Sequence, residues 1–375
     1  MGTGFPETCC ENMKKQPSES HKITSLEGLR GIMAWWVVLG HVSLSFGWHL
    51  PIVDRNVLAV DVFIILSGFV IACLIDRKAE PLGLYIARRG FRLFPLYLVV
   101  LALSTVLLQV QVSAWQDIPF ATPTNANRLY LAQQGLGSLS HQLIVHVPLL
   151  QGLVPDQVLD SAPYTIVGQA WSISMEWQFY LLAPFFLWVL ARKQRWLLGA
   201  AVFLALILMT DLLPGGFIGY KVSRFAIGIC SYMAFDRRRE WRGWLLAILG
   251  FAGIAIAREG LSQLLPLLLW AVVLLSAAAP VHHLMHLPAR LLGSALPVHL
   301  GQISYSVYLV HMIPLYVSIA VLTGLGVSNS VLQAGVVTFT LVATYFLSLV
   351  SYRFIEKPGI ELGARLTRPA ELQTA

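Results

Sequence analysis

Ten long apolar runs occupy most of this chain, and each is about the length of a helix that crosses a bilayer. Hydrophobic residues make up 57% of the 375 residues and charged residues only 12%, whereas a soluble domain carries roughly 25% charged residues. The pattern predicts an all-α fold, a polytopic integral membrane bundle of about ten transmembrane helices. The expected spans are 30–48, 57–75, 93–112, 170–191, 196–213, 215–235, 243–258, 260–279, 302–323 and 330–352.

The basic residues predict how the bundle is oriented. Lysine and arginine cluster in short segments between apolar runs, as at 192–195 and 237–242. With a cytoplasmic N-terminus, three of the 26 fall in external loops and two inside spans, which leaves 21 on the cytoplasmic side. This asymmetry follows the positive-inside rule. It predicts that both termini are cytoplasmic, and it accounts for the net charge of +7 without nucleic-acid binding.

Three parts of the chain differ in polarity. Residues 1–24 form a polar cytoplasmic segment without the apolar core of a cleavable signal peptide, 25–357 form the membrane domain, and 358–375 form a short cytoplasmic tail. Within the domain, 113–169 is a long external loop whose aromatic content predicts that it is ordered. Its apolar stretch LIVHVPLL, at 143–150, is too short to span and predicts a re-entrant or interfacial segment.

Three ionisable residues are expected at similar depth in three different spans. His41 lies well inside the first apolar run, Asp61 near the outer end of the second, and Glu176 about two turns into the fourth. Ionisable groups within a membrane are costly and indicate functional sites. Since a general-base histidine usually has a carboxylate partner, we interpret His41 as the base and Glu176, then Asp61, as its orienting acid. Alternatively, His41 is only a hydrogen-bonded residue of the bundle interior.

A second charged set is expected at the cytoplasmic end of the bundle. Arg88, Arg89 and Arg92 lie within one and a half turns, and Arg89 and Arg92 share a helix face. Arg30 precedes His41 by eleven residues, so both project from one face of the first span, about 16 Å apart. Guanidinium groups suit phosphate oxygens, which predicts an anionic ligand at this entrance. Alternatively, these arginines only anchor the topology.

Further polar residues lie within the later spans. Lys221 and Arg224 should face an aqueous cavity or pair with an acid such as Asp211, because unpaired cations are costly there. The ninth span carries a polar stripe formed by Ser304, Tyr308 and His311. Such a stripe either faces a substrate or hydrogen-bonds to a neighbouring helix. The four cysteines show no metal-ligand or disulfide spacing, and no carboxylate-rich or Cys/His cluster predicts a metal site.

Six segments in order resemble a known family, the membrane-bound acyltransferase family 3. They are SLEGLRGIMAWWVVLGH, with its basic residue, ten residues and then histidine, followed by DVFIILSGF, ARRGFRLFPLY, WSISMEWQFYLLAPFF, SRFAIG and ISYSVYLVH. The resemblance extends from about Ser25 to Lys357. One departure is Trp177, where many members of the family have a second acid. The chain is also expected to be a stand-alone member, without the secreted esterase-like domain of some members.

The resemblance implies O-acyl transfer, commonly of acetyl, from a cytoplasmic acyl-CoA to a hydroxyl on a glycan, a lipid-linked sugar or a small molecule, in the bacterial inner membrane. It implies that Arg30, Arg88, Arg89 and Arg92 bind the CoA phosphates. It further implies that the thioester arm reaches His41, which removes the acceptor proton or carries the acyl group itself. Glu176 and Asp61 would support His41. The residues expected at the acceptor are Trp171, Arg224, Tyr308 and His311.

A proton-coupled transporter of a small solute is the rival interpretation. Its relay would consist of His41, Asp61, Glu176, Lys221 and Arg224. Transporters often show internal repeats and broken helices at matching positions, and the sequence shows neither. The acyltransferase is therefore the favoured prediction, with the acceptor left open.

Overall fold

The computed structural model describes residues 17–78, 80–236, 240–279 and 283–367, with side chains from Thr24 onward. Most of the predicted N-terminal segment 1–24 and the end of the predicted tail lie outside the described residues. Over the described ranges the regular structure is helical throughout, without a strand. The all-α prediction is confirmed.

The first half of the chain forms six helices, three long apolar ones and then three shorter ones that lead into the segment predicted to be external. They are α1 (Pro17–Phe46), α2 (Val57–Arg77), α3 (Leu82–Val106), α4 (Leu108–Asp117), α5 (Pro123–Gly137) and α6 (Leu139–His146). Three short 3₁₀ turns follow, at Gln151–Leu153, Ala162–Tyr164 and Gly168–Ala170.

The second half returns to long apolar helices separated by short connections. It contains α7 (Trp171–Leu190), α8 (Trp196–Leu208), α9 (Val222–Asp236), α10 (Trp241–Glu259), α11 (Leu264–Ala278), α12 (Leu287–Leu292), α13 (Ala295–Gln302), α14 (Ser304–Val310), α15 (Met312–Gly324), α16 (Asn329–Ser351) and α17 (Lys357–Leu366). A π turn, Tyr352–Glu356, joins α16 to α17.

Nine helical stretches of the described chain are long and apolar enough to cross a membrane. They correspond to nine of the ten expected spans. The exception is the predicted span 215–235, where α9 has only 15 residues and follows the 3₁₀ turn Ile218–Tyr220. Because most of α9 is buried, it is a tenth, shorter helix of the interior. The chain is an integral membrane protein of the polytopic helical type.

Two predicted boundaries are displaced. The third span was expected at 93–112, but α3 begins at Leu82 and includes the arginine cluster, which a hydropathy window excludes. The predicted tail 358–375 is helical as far as Leu366. It packs on α3, where Gly359 and Gly363 approach the side chains of Pro95 and Phe91. The polar composition of 358–366 therefore did not prevent this part of the tail from packing on the bundle.

Two glycines allow a close helix crossing in the interior. A Cβ atom on Gly68 of α2 would lie 2.3 Å from the carbonyl oxygen of Phe225 in α9, and one on Gly228 would lie 2.0 Å from that of Ile65. Small residues allow such close approach of membrane helices. This contact holds the start of α9 beside α2, which determines the partners of Asp61.

The segment 113–169, predicted to be external, is ordered and packs on the end of the bundle where α1 ends. The Tyr97 hydroxyl donates to the His146 carbonyl oxygen (2.8 Å), and the Asn125 amide donates to the Ser45 carbonyl oxygen (2.8 Å). Residues 143–146 complete α6 and 147–150 follow it as a turn, and the His146 side chain has no exposed surface. Trp115 of α4 lies in an apolar cluster with α15 residues such as Leu315. The segment is therefore a packed cap.

Candidate active site

A cavity with about 920 Å³ of empty space, part of it open to solvent, runs between α1, α2, α3, α7 and α14. On α2 it extends from Val60 to Ile71, which is about 16 Å along the helix axis. Its polar lining comprises Arg30, Ser67, Arg89, Arg92, Ser172, Glu176, Tyr180, Ser304, Tyr305 and Tyr308. The cavity thus joins the predicted arginine entrance to part of the predicted acceptor residues.

Three guanidinium groups lie at one part of the cavity wall. Arg30 has Glu27 as a neighbour at 3.8 Å, and Arg92 has Glu356 at 4.0 Å. Arg89 is only 8% exposed, and no ion pair or hydrogen bond to it is formed within the described part of the chain. Its Cζ lies 6.0 Å from the ring centre of Tyr180, a neutral group. A buried cation without a counter-ion is costly, so Arg89 is a residue that an anion would stabilise.

Arg88 differs from its neighbours, although the sequence grouped it with them. Its guanidinium bonds to Glu80 (2.5 Å), to the Thr367 hydroxyl (2.6 Å) and to the Thr367 carbonyl oxygen (3.0 Å). It is not among the cavity-lining residues. At i−1 from Arg89 it projects from another side of α3 and fastens the end of α17. We therefore do not retain Arg88 as a ligand-binding residue.

Glu176 lies in the cavity wall, but its hydrogen-bond partners in the described structure do not include His41. Its Oε1 accepts hydrogen bonds from the Ser67 hydroxyl (3.3 Å) and from the Tyr180 hydroxyl. The carboxylate thus belongs to a hydrogen-bonded group on α2 and α7. Equal predicted depth did not mean contact, since Glu176 lines the cavity whereas His41 is not among its lining residues.

Asp61 belongs to a buried ion-pair network. The prediction that it is a partner of His41 is therefore wrong. Its Oδ1 lies 2.8 Å from Lys221 Nζ and 3.7 Å from Arg224 Nε. Glu259 lies 2.6 Å from each of the same two cations. The acid predicted for these cations, Asp211, is not the one that pairs with them. Arg224, at 1% exposed, is held here too and is absent from the cavity lining.

Tyr308 is the link between the cavity and the histidines. Its hydroxyl donates to the Gln169 carbonyl oxygen (2.9 Å) and lies 2.7 Å from the Ser172 hydroxyl. Its ring centroid lies 6.1 Å from that of His311, which in turn lies 5.2 Å from that of His41. Two imidazoles, one from α1 and one directly after α14, thus lie next to each other and near Tyr308, but neither is among the cavity-lining residues.

His41 has a guanidinium rather than a carboxylate against its ring. Arg128 Nη2, from α5, lies 2.9 Å from His41 Nδ1 and 3.2 Å from the His41 carbonyl oxygen. Sequence reasoning assigned no role to Arg128. The sequence did contain an indication, because Arg128 is one of three arginines expected on the external side of the membrane and lies in the long loop.

Trp171 begins α7 and packs against the main hydrophobic core, whereas its neighbours Ser172 and Ile173 line the cavity.

Glu27 and Glu356 are also site residues that sequence reasoning missed. Glu356 is buried and accepts a hydrogen bond from Ser306 (2.7 Å) beside Arg92. Its position depends on the π turn, which the hydropathy pattern does not indicate.

The comparisons with known proteins decide the class. The profile of an acyltransferase domain family, acyltransferase 3, matches residues 23–353. The chain belongs to this family. It is a membrane acyltransferase, and this decides against the transporter interpretation.

Two curated relatives agree in part with this assignment. Acyltransferase MdmB of Streptomyces mycarofaciens is 25% identical over 334 residues, which cover 79% of this chain and 79% of that protein. Protein 2 in the picA locus of Rhizobium radiobacter is 36% identical over 96 residues, covering 24% of this chain and 47% of that protein. No solved structure matches the chain.

Proposed function

We propose that this acyltransferase moves an acyl group, commonly acetyl, from acyl-CoA to a hydroxyl of a carbohydrate or small-molecule acceptor. The observation that carries the proposal is the cavity-lining Arg89, which is buried, contacts the Tyr180 ring and has no counter-ion among the described residues, beside Arg30 and Arg92. Guanidinium groups suit the several phosphates of CoA. The cavity then offers an elongated passage for the rest of the donor.

The thioester would lie at the Tyr308 part of the cavity, next to the imidazoles of His41 and His311. O-acyl transfer requires a base for the hydroxyl proton, and an imidazole is the side chain that does this most often. His41 is the base predicted from the sequence. Transfer forms the ester C–O bond and breaks the thioester C–S bond, and the hydroxyl proton ends on the CoA sulfur.

The donor would enter from the cytoplasm and the acceptor would be recognised on the other side. This assignment rests on the charge asymmetry of the sequence, with both termini in the cytoplasm of a bacterial inner membrane. The packed cap formed by 113–169 lies over the histidine end of the site, so we assign acceptor selection to it. Membrane lipid surrounds the bundle, and nucleic acid has no role.

The test uses the full-length protein in lipid nanodiscs with acetyl-CoA labelled in the acetyl group. We expect saturable binding of acetyl-CoA and release of free CoA thiol, faster when a bacterial envelope carbohydrate extract supplies hydroxyl acceptors. Label should move to the extract in alkali-labile ester linkage. Binding without thiol release under any acceptor condition would contradict acyl-CoA as the donor. Succinyl-CoA in a parallel assay determines whether acetyl is preferred.

A further inference from the structure

Arg128 is a buried cation that the external segment delivers to the first helix. Its guanidinium is 8% exposed, donates to the Ser45 hydroxyl (2.7 Å) and lies 4.7 Å from the Trp115 ring centre. No carboxylate pairs with it within the described ranges. The groups that hold it are therefore neutral, and His41 provides two of the contacts.

This contact determines which nitrogen of His41 carries the proton. A guanidinium can only donate, so Nδ1 of His41 accepts from Arg128. A neutral imidazole with an accepting Nδ1 has its hydrogen on Nε2. The adjacent positive charge also opposes the addition of a second proton. With Nδ1 occupied and Nε2 protonated, His41 is arranged as a hydrogen-bond donor and not as a base.

His311 has the opposite arrangement. Its Nδ1 lies 2.8 Å from the carbonyl oxygen of Tyr308 and 3.2 Å from that of Val307, and carbonyl oxygens only accept. Nδ1 therefore carries the hydrogen, and Nε2 has a free lone pair. This buried Nε2 has no hydrogen-bond partner in the described structure. Once protonated, the ring would be stabilised by both carbonyl dipoles.

We infer that His311 Nε2 is the proton acceptor of the reaction and that His41, positioned by Arg128, donates from Nε2 to the oxyanion. This inference rests on the proposed function. The acceptor O–H bond breaks with its proton going to His311 Nε2, while the oxygen forms a bond to the thioester carbonyl carbon. The carbonyl oxygen becomes an oxyanion that accepts from His41 Nε2–H. The C–S bond then breaks, and the thiolate takes the proton from His311.

Two substitutions by amide side chains distinguish the proposed base from the proposed oxyanion donor. Each amide nitrogen occupies about the position of one imidazole nitrogen, and the other imidazole nitrogen is lost. His311→Asn keeps a donor near Nδ1 for the Tyr308 carbonyl but removes the Nε2 lone pair. His41→Gln keeps an N–H donor near Nε2 but removes Nδ1. We expect kcat for acetyl-CoA turnover to fall by about 10²–10⁴-fold in His311→Asn. In His41→Gln the fold-decrease in kcat should be smaller than that in His311→Asn by a factor of at least ten. His49→Gln, at an exposed position, is the matched control.

The readout is free CoA thiol release from full-length protein in nanodiscs, with acetyl-CoA binding measured on the same samples. A loss in His41→Gln equal to or larger than that in His311→Asn overturns the inference. If His311→Asn does not fold, His311→Gly is used instead, with imidazole added to the assay. Added imidazole should restore more turnover to His311→Gly than to His41→Gly. Equal or lower turnover of His311→Gly under these conditions overturns the inference. Wild-type protein without turnover would instead reject the proposed function, so the two failures are distinguishable.

Discussion

Lys221 Nζ lies 2.8 Å from Oδ1 of Asp61, a carboxylate with no exposed surface. Arg224 and Glu259 complete the group, so that two cations face two anions at the start of α9. Breaking a buried pair by removing one partner leaves an uncompensated charge. We therefore expect Asp61 to stabilise the packing of α2 on α9, although its neighbour Val60 lines the cavity.

Replacing Asp61 should destabilise the protein rather than change its chemistry. Asp61→Asn leaves Lys221 and Arg224 with Glu259 alone, and we expect a loss of about 3–5 kcal/mol in the free energy of unfolding. Thermal unfolding in detergent measures it, with the exposed Asp117→Asn as the control. Unchanged stability together with lost turnover would restore the catalytic role that the sequence predicted.

Arg88 and Arg89 are adjacent in sequence but should differ in their effect on the donor. Arg89→Ala should weaken acetyl-CoA binding about tenfold or more, since it removes a charge-assisted contact worth about 1.5–3 kcal/mol. Arg89→Lys should weaken it less. Arg88→Ala, which loses only its bonds to Glu80 and Thr367, is the matched control and should bind normally. Isothermal titration in nanodiscs gives the affinities, and equal effects of the two alanine variants would contradict the assignment.

Arg128 should act on turnover and not on donor affinity. Arg128→Gln removes the donor that holds His41 Nδ1, and a displaced catalytic group can cost about 10²-fold in rate. We expect kcat to fall by this order while the Kd for acetyl-CoA is unchanged, and Arg128→Lys to be intermediate. Arg55→Gln, an exposed external arginine, is the control. A weakened Kd with normal kcat would show that Arg128 serves donor binding.

His146 in the packed cap should make stability depend on pH. Burial lowers the pKa of His146 to about 4, against an ordinary value of about 6.5. The folded state therefore binds fewer protons between these values, so the free energy of unfolding falls as the pH falls below about 6.5, by about 1.4 kcal/mol per pH unit. Unfolding midpoints measured from pH 7.5 to 4.5 should show this slope. His146→Gln should reduce the slope by about 1.4 kcal/mol per pH unit, and an unchanged slope in this variant would show that other groups cause it.

The orientation of the bundle can be tested with single cysteines. In a background with Cys9 and Cys10 replaced by serine, Val158→Cys should react with a membrane-impermeant thiol reagent in intact cells. Gln194→Cys should react only after permeabilisation. Both positions are exposed, and the native Cys73 and Cys230 are buried. Labelling of Gln194→Cys in intact cells would reverse the assigned side of donor entry.

Most of the bundle could be predicted from the sequence, because apolar length alone defines a membrane helix. The arginine entrance could be predicted for Arg30, Arg89 and Arg92, which share helix faces that meet at the cavity. The partners of His41 and Asp61 could not. Depth follows from position along a helix, but the facing direction depends on how helices cross, as Gly68 shows for α2.

The arginine end of the cavity contains its own counter-ions. Glu27 lies 3.8 Å from Arg30 and Glu356 lies 4.0 Å from Arg92, and both acids are buried. Arg30 and Arg92 are therefore partly neutralised with no ligand present. If acyl-CoA is the donor, as proposed, we expect folding of this end of the bundle not to depend on its binding.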